Sequence, residues 1–530
     1  MWKWFKKNVK EPNTEHKQEV KPQLLSSSVY QNIEYIKHSL GHSTDIVSRT
    51  FRAFEDGSIK IGIVYTDGLV NDEAIQATIT QPLMHEIRQS SLDKRAFTGL
   101  SAIDILKQFS LINLELEEVK HMHQVLLHVL SGDTLVFLED FQTAFAIDTR
   151  GWQMRNIEEP TTQAVVRGPK EGFTETLRTN TALLRRRIKD PNLWIKTKPI
   201  GRKTQTDVAV AFMNGIADEK IVSEVMKRLN QIDIDSILDS GYIEELIQDE
   251  TYTPFPTVYN SERPDSIAAG LLEGKIAIIV DGSPFVLLVP ALFVQFFQAP
   301  EDYYQRADFA TLVRMIRYIS FFLALLTPSA YIALTTYHQE MIPTSLLISL
   351  SSQREGVPFP ALIEALIMEL TFEILREAGI RLPTAVGSAI SIVGALVLGQ
   401  AAVEAGLVSS AMVIVVSLTA ISSFVSPSFN FAITIRMLRF IFMILAATFG
   451  LYGILLGLII LVLHLSSLRS FGIPYLTPMS PYNKEDQKDT ILRLPRWSLT
   501  TRPRLVNQKN IVRVNNNKQH SNTSNQKGKK

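Results

Sequence analysis

The 530-residue chain has no cysteine. That excludes a disulfide framework, a thiolate metal site and a cysteine nucleophile. The spacings that carry several other chemistries are also missing: there is no P-loop, no GxGxxG, no GxSxG and no HExxH. His121, His123 and His128 lie close in sequence, but His123 is off the i, i+4 spacing with which a helix chelates zinc, so they read as helix-surface histidines. No enzyme, cofactor or metal site is expected. The start, MWKWFKKNVKEPN, lacks the apolar stretch of a signal peptide. Trp2, Trp4 and Phe5 among lysines fit either an anionic-lipid contact or a disordered start on the cytoplasmic side.

Charge is scarce in a patterned way. The net charge is only +1, but the C-terminal half contains long windows without Asp, Glu, Lys or Arg. Windows at 318–339, 382–403, 407–429 and 440–465 read as membrane spans. A fifth, 285–299, fits a span or an interfacial or re-entrant segment. Basic residues before 318 and after 468, with acidic ones between the first two spans, place both termini in the cytoplasm. Arg436 and Arg439 then fall on the wrong side, a conflict that snorkelling or a re-entrant segment would remove.

The first half reads as α/β. IGIVYTDGLVNDEAI (61–75) and VAVAFMNGIADEKI (208–221) share one grammar: a β-branched strand, an Asp-Gly or Asn-Gly turn, then an acidic helix start. SGDTLVFLEDFQTAFAID (131–148) and EGKIAIIVDGSPFVLLV (273–289) are both strand–turn–strand. This internal repeat predicts an α/β soluble region of two related subdomains, followed by an all-α polytopic membrane domain. The expected boundaries are a tether at 1–44, subdomains at 45–190 and 191–285, a membrane domain at 286–470 and a basic, largely disordered tail at 471–530. The run Arg185-Arg186-Arg187 reads as a solvated helix face or a subunit or lipid contact; no nucleic-acid partner is expected.

Polar chemistry inside the membrane half is confined to one stretch. Glu369, Glu373 and Glu377 are four apart and share a helix face, with Glu364 beside it. Such a stripe must face water, a partner or a vestibule rather than lipid. The alternative is an amphipathic helix paired through Arg376 and Arg381. In the following span Ser388, Ser391, Ala395 and Ala402 form a small-residue stripe, which fits either tight packing or a narrow water path. The basic tail fits an anionic-lipid contact.

Three blocks carry a family resemblance: RGPKEGFTE (167–175), ERPDSIAAGLLEGKIAIIVDGSPFVLLVP (262–290) and REGVPFPALIEALIMELTFEILREAGIRLP (354–383). The chain resembles the GerA family of spore germination proteins over about residues 30–480. Within it, the chain is similar to the A-type subunit of a nutrient germinant receptor, with the SpoVAF paralogue kept open. The resemblance implies the inner membrane of the bacterial spore. Implied partners are a B-type transporter-like subunit, a C-type lipoprotein, further copies in a homo-oligomer (a pentamer), membrane lipid and monovalent cations. It also implies a nutrient-gated cation channel; for such a channel, the residue pattern itself offers Ser388, Ser391, Ala395 and Ala402 as the candidate pore lining and Glu364, Glu369, Glu373 and Glu377 as a candidate acidic vestibule. A non-conducting scaffold and a secondary transporter are the alternatives; a transporter would show inverted repeats among its spans.

Overall fold

Isoleucine- and valine-rich segments build the first sheet. Helix α1 (Val29–Ser39) precedes strands β1 (Ile46–Ala53) and β2 (Ile59–Thr66), which pair antiparallel. Then come β3 (Leu116–Val119), α2 (Met122–Ser131), β4 (Asp133–Leu138) and β5 (Ala144–Asp148). The order is β1-β2-β4-β5-β3, antiparallel throughout. Ile33 and Ile36 of α1 and Val125 and Val129 of α2 bury their apolar faces with Val64, Leu135 and Phe137. Gly62 lets α1 lie flat on the sheet, because a Cβ there would sit 2.5 Å from Val29 Cγ1. The expected 1–44 tether is thus corrected: its α1 portion is part of the core. This computed structural model describes residues 23–53, 59–81, 116–151, 159–160, 162–381, 397–506 and 510–513. Trp2, Trp4 and Phe5 lie outside them.

The chain divides into two units, Met1–Trp152 with Lys189–Pro191, and Gln153–Ile188 with Asn192–Lys530. The second unit begins with α3 (Leu177–Arg187), β6 (Leu193–Ile200), β7 (Thr206–Met213), α4 (Glu219–Gln231) and α5 (Ser240–Ile247). It continues with β8 (Tyr259–Ser261), α6 (Pro264–Leu272), β9 (Ile276–Val280) and β10 (Val286–Val289). Its sheet order, β6-β7-β9-β10-β8, reproduces the first position by position. The strands of the repeat, β2 with β7 and β4–β5 with β9–β10, occupy equivalent places. The expected boundary at 190/191 falls too late, since Leu183 and Leu184 of α3 pack against Ala209, Leu271 and Ile279 of the second sheet. The basic run at the end of α3 is held by protein: Arg185 is buried and donates to the Leu193 carbonyl at 2.7 Å, while Arg187 pairs with Glu171 at 3.0 Å.

Strand periodicity sorts this sheet into two cores. Val208, Val210 and Phe212 face α4 and α5, together with Ile276, Ile278 and Leu287. Ala209, Ala211, Ala277, Ile279 and Leu288 face the other way, into a core shared with α3, α6 and the helices that follow. Segment 285–299 is therefore not a span. It is β10, buried on both faces, followed by a 3₁₀ turn Phe293–Phe297 whose rings are buried. Its apolarity reflects burial in protein rather than in lipid.

The helical region comprises α7 (Ala307–Thr336), α8 (Thr344–Arg354), α9 (Ala361–Arg381), α10 (Ser410–Phe424) and α11 (Phe429–Ser467), with residues 397–404 also helical. Among the described residues, α7 is long and apolar enough to cross a membrane, and so is α11 if its 39 residues are counted without the break at Gly450. The expected span 407–429 is instead the 15-residue α10, ended before Ser426-Pro427. That length is about 22 Å at 1.5 Å per residue, short of a hydrocarbon core of about 30 Å. Residues 382–396 lie outside the described residues.

The expected single span 440–465 is corrected by one glycine. At Gly450 α11 adopts φ 62° and ψ −142°, which only glycine adopts readily, and the chain reverses. Both Phe431 and His464 consequently lie beside Phe255, at 6.3 and 6.2 Å between rings. The arms, 429–449 and 451–467, pack against each other where a Cβ at Gly457 would lie 2.8 Å from Phe442. The hairpin apex meets the end of α7, where Tyr337 donates to the Ala447 carbonyl at 2.9 Å.

After α11 the chain folds back over the second subdomain and the start of α7. Tyr475 and Val506 are fully buried, and Ser470 donates to the Thr257 carbonyl at 2.7 Å. The expected disordered tail is corrected for residues 471–506: scattered apolar anchors hold a segment whose composition is basic. Residues 514–530 lie outside the described residues.

Two predictions follow from this packing. Gly450→Ala places a Cβ 2.6 Å from His338 Cε1 at a strained φ, and should cost about 1–3 kcal/mol. Thermal denaturation in detergent against Gly356→Ala, whose Cβ meets open space, checks this; equal midpoints would contradict the hairpin. Lys275 is buried, bonded to Gln295 Oε1 at 2.5 Å, and burial lowers its pKa to about 8. Between about pH 8 and 10.5 the unfolded chain binds the extra proton, so stability should rise by about 3 kcal/mol over that window. Unfolding curves should show Lys275→Met losing this rise; parallel pH profiles would refute it.

Candidate functional site: a charged seam in the helical bundle

Helix α9 begins just past Pro358 and Pro360 and carries the four glutamates. They do not form a row of free carboxylates. Glu369 pairs with Arg439 of α11 at 2.5 Å, with both side chains at most 1% exposed. Four residues on, half-buried Glu373 pairs with Arg436 at 2.8 Å. The numbering rises along α9 and falls along α11, so the two helices run antiparallel across the seam. Exposed Glu377 bonds Arg381 of its own helix at 2.6 Å. Arg376, the other expected partner, stacks over Phe424 at 5.2 Å.

Glu364 is fully buried and takes another role. Its Oε1 accepts from the Ser409 amide at 2.6 Å and from the Ser409 hydroxyl. Ser409 is the N-cap of α10, so the carboxylate sits at the positive end of a helix dipole. Arg354 of α8 approaches its other oxygen only to 3.9 Å. Glu364 Oε2, Glu369 Oε1, Glu373 Oε1 and Arg439 Nε and Nη2 are buried without a hydrogen-bond partner. The seam is thus strongly attractive yet incompletely satisfied, and such groups are costly to leave in a low-dielectric interior.

Arg436 and Arg439 are the residues that sequence reasoning misplaced. They neither snorkel nor mark a loop; they lie inside α11 and are neutralised by α9. Two arginines at i, i+3 within an apolar helix are the signal that could have found them, because such charges require partners. Of the small-residue stripe, Ser388, Ser391 and Ala395 lie outside the described residues, and Ala402 is half-buried in the helix at 397–404.

The base of the bundle is bolted to the second subdomain. Phe431 of α11 is ringed by Phe255, Phe293, Phe296, Phe297 and Phe321, at 6.3, 5.7, 5.5, 5.1 and 5.7 Å. Thr434 donates to the Pro254 carbonyl, and Thr253 bonds His464 at 2.9 Å, so the loop at 253–256 grips both arms. Arg314 and Arg317 of α7 converge on buried Asp302 at 3.1 and 2.8 Å, and Arg314 also reaches Asp489 at 2.9 Å. Burial raises the Asp489 pKa, against the pull of Arg314.

In the first subdomain His128 bonds Asp133 at 2.7 Å and His121 stacks on His123. Among the described residues no group of three histidines or carboxylates is placed to hold a metal ion.

The chain is similar to known proteins over most of its length. The chain is 48% identical to spore germination protein KA of Bacillus subtilis (strain 168), over 93% of its own length and 89% of that protein's. It is 39% identical to spore germination protein GerLA of Bacillus cereus, covering 92% and 97% respectively. It is 33% identical to stage V sporulation protein AF of Bacillus subtilis (strain 168), covering 91% and 96%. The crystal structure of the N-terminal domain of the A subunit of the Bacillus megaterium spore germinant receptor GerK3 matches with a TM-score of 0.41 and 39% identity, over 52% of this chain and all of that one. A profile of the Bacillus/Clostridium GerA spore germination proteins matches residues 34–505, and the chain belongs to that family.

Proposed function

We propose that this chain is the A-type subunit of a spore germinant receptor in the spore inner membrane, and that it couples nutrient sensing to germination as an oligomeric, nutrient-gated channel for monovalent cations. Membership of the family supports the germination role, and α7, long and apolar enough to cross a membrane, supports the location. The C-terminal segment and the second subdomain lie at the same end of the bundle, which we assign to the cytoplasm. A transporter-like B-type subunit and a C-type lipoprotein complete the receptor, and identical copies, five in the family's pattern, surround the path.

The observation that carries the channel reading is the buried, half-satisfied seam of Glu369–Arg439 and Glu373–Arg436. A buried pair in a helical bundle is seldom the most stable choice, since apolar residues of similar volume serve as well or better. Intramembrane charges mark pathways and switches. In the arrangement described here the carboxylates are neutralised, which is a closed state. Strain passed from the partner subunits through the aromatic junction separates α9 from α11. Glu369 and Glu373 then join Glu364 and Glu377 in an acidic vestibule that concentrates cations before the stripe of Ser388, Ser391, Ala395 and Ala402. A non-conducting scaffold is the competing reading, and flux separates the two.

Reconstitution in liposomes with its partners tests this. Glu369→Gln and Arg439→Gln should each raise nutrient-independent cation flux by on the order of tenfold or more, since losing one partner of a buried pair costs several kcal/mol. The Glu369→Arg/Arg439→Glu exchange should restore closure in part, and Glu373→Gln, less buried, should leak less. Wild-type flux from both single variants in assembled receptor would count against the gate. Separately, Ser391→Phe or Ala395→Phe should cut nutrient-triggered cation release with assembly intact; unchanged release would remove the stripe from the pore.

A further inference from the structure

In each sheet the first strand stands at an edge, and the two edges differ. β1 and β6 are both eight residues long and pair with β2 and β7 in the same register, so Ser48 and Thr50 correspond to Ile195 and Thr197. On β6 that edge is engaged: the Leu193 carbonyl takes Arg185 at 2.7 Å, and Ile195 and Thr197 have partners too. On β1 it is open. Asp67 N donates to the Asp45 carbonyl at 2.8 Å. The alternation of an antiparallel ladder then turns the main-chain groups of Ser48, Thr50 and Arg52 away from β2, where no described residue bonds them. An open edge of that length is a template for a further strand.

Charge selects which strand. Arg49, Thr50 and Arg52 are exposed. Arg52 lies directly opposite Lys60 in the β1–β2 pair, like charge beside like. No carboxylate of a described residue pairs with either arginine. Two β1 edges would therefore repel each other. The opposite edge of the same sheet, β3, carries exposed Glu117 and Glu118. Their partners hold them loosely, Lys120 at 3.3 Å from Glu118 and His128 at 3.8 Å from Glu117. The Lys120 carbonyl accepts from Leu25 N at 3.3 Å, so by the same alternation Glu118 also turns its main chain outward.

We propose that the β1 edge of the first subdomain receives the β3 edge of a second copy, so that copies join head to tail through one continued sheet. This rests on the oligomeric reading above and names its joint. From β1 to β3 the sheet takes four antiparallel steps, so its two edge strands run parallel. A neighbour that continues the sheet lays its β3 parallel to β1. Thr50 and Arg52 share the face of Gly62, on which α1 lies, and Glu117 shares that face through Ala146. Arg49 and Glu118 share the other face. With Thr50 beside the partner's Glu117, Arg52 lies diagonal to the partner's Glu117 and Arg49 to the partner's Glu118. Such neighbours are about 7–8 Å apart at the backbone, which these long side chains span. Contact between unlike edges is heterologous, and it makes a ring when the rotation between copies closes.

The test uses the full chain in detergent micelles, where the absence of native cysteine leaves the background clean. Thr50→Cys and Glu117→Cys combined should, on mild oxidation, give a ladder of disulfide-linked multimers in denaturing electrophoresis. Each variant alone should stay monomeric. In the double-cysteine background Arg49→Glu should reduce the ladder by about fivefold or more, and adding Glu118→Arg should restore it. An amine-reactive cross-linker reports multimers independently of this joint. Multimers captured by that reagent without a disulfide ladder overturn the β1–β3 joint and leave the oligomer intact. Dimers from either single variant overturn the head-to-tail pairing. A ladder unaffected by Arg49→Glu overturns the selection by charge. Monomer by both routes overturns the oligomeric reading itself.

Discussion

One continuous apolar core joins the second β-sheet to the helical bundle, and the rest of the second unit depends on it. Strand residues such as Ala277 and Ile279 and helix residues such as Phe321, Phe442 and Met443 belong to the same buried cluster. Phe431 stands at its centre, stacked on Phe296 and Phe321 and edge-on to Phe293 and Phe297. Ring pairs of this kind contribute about 0.5–1.5 kcal/mol each beyond their buried area. An exposed pair such as Arg306–Asp308 is screened by water and contributes far less. The comparison decides which contacts set rigidity: the aromatic junction makes sheet and helix bases a single body, and surface charges do not.

The seam between α9 and α11 has the opposite physical character. Apolar packing is non-directional and tolerates small shifts, whereas the Glu369–Arg439 contact is short, buried and lacks a second bond to hold either group. Desolvation and attraction are both large there and nearly cancel. A contact of that kind can exist in two states separated by a modest free energy, which suits a switch. Gly450 adds to this: by folding α11 into a hairpin it ties the far end of the bundle to α7 through Tyr337.

The repeat was legible because its signals are local. A β-branched strand, an Asp-Gly or Asn-Gly turn and an acidic helix start recur within fifteen residues, and both sheets then adopt the same strand order. The acidic stripe was legible as one helix face. Its partners were not, because Arg436 and Arg439 lie 63 and 70 residues away and periodicity carries no information about which distant charge answers another. The Gly450 reversal hides in an uninterrupted apolar run with no polar turn residue to announce it. Segment 285–299 misled because a strand buried on both faces and a lipid-facing helix have the same composition. The folded part of the tail misled because a few anchors, Tyr475 and Val506 among them, outweigh a basic average.

Separation of α9 from the first arm of α11 on nutrient binding is the centre of this account, and the absence of cysteine makes it directly measurable. Exposed Ile374 on α9 and exposed Met437 on α11 can each be replaced by cysteine and spin-labelled with no competing thiol. The distance between the labels, measured by pulsed electron paramagnetic resonance in assembled receptor with and without nutrient, should lengthen when nutrient is added. An unchanged distance distribution in receptor that still triggers germination would contradict the account.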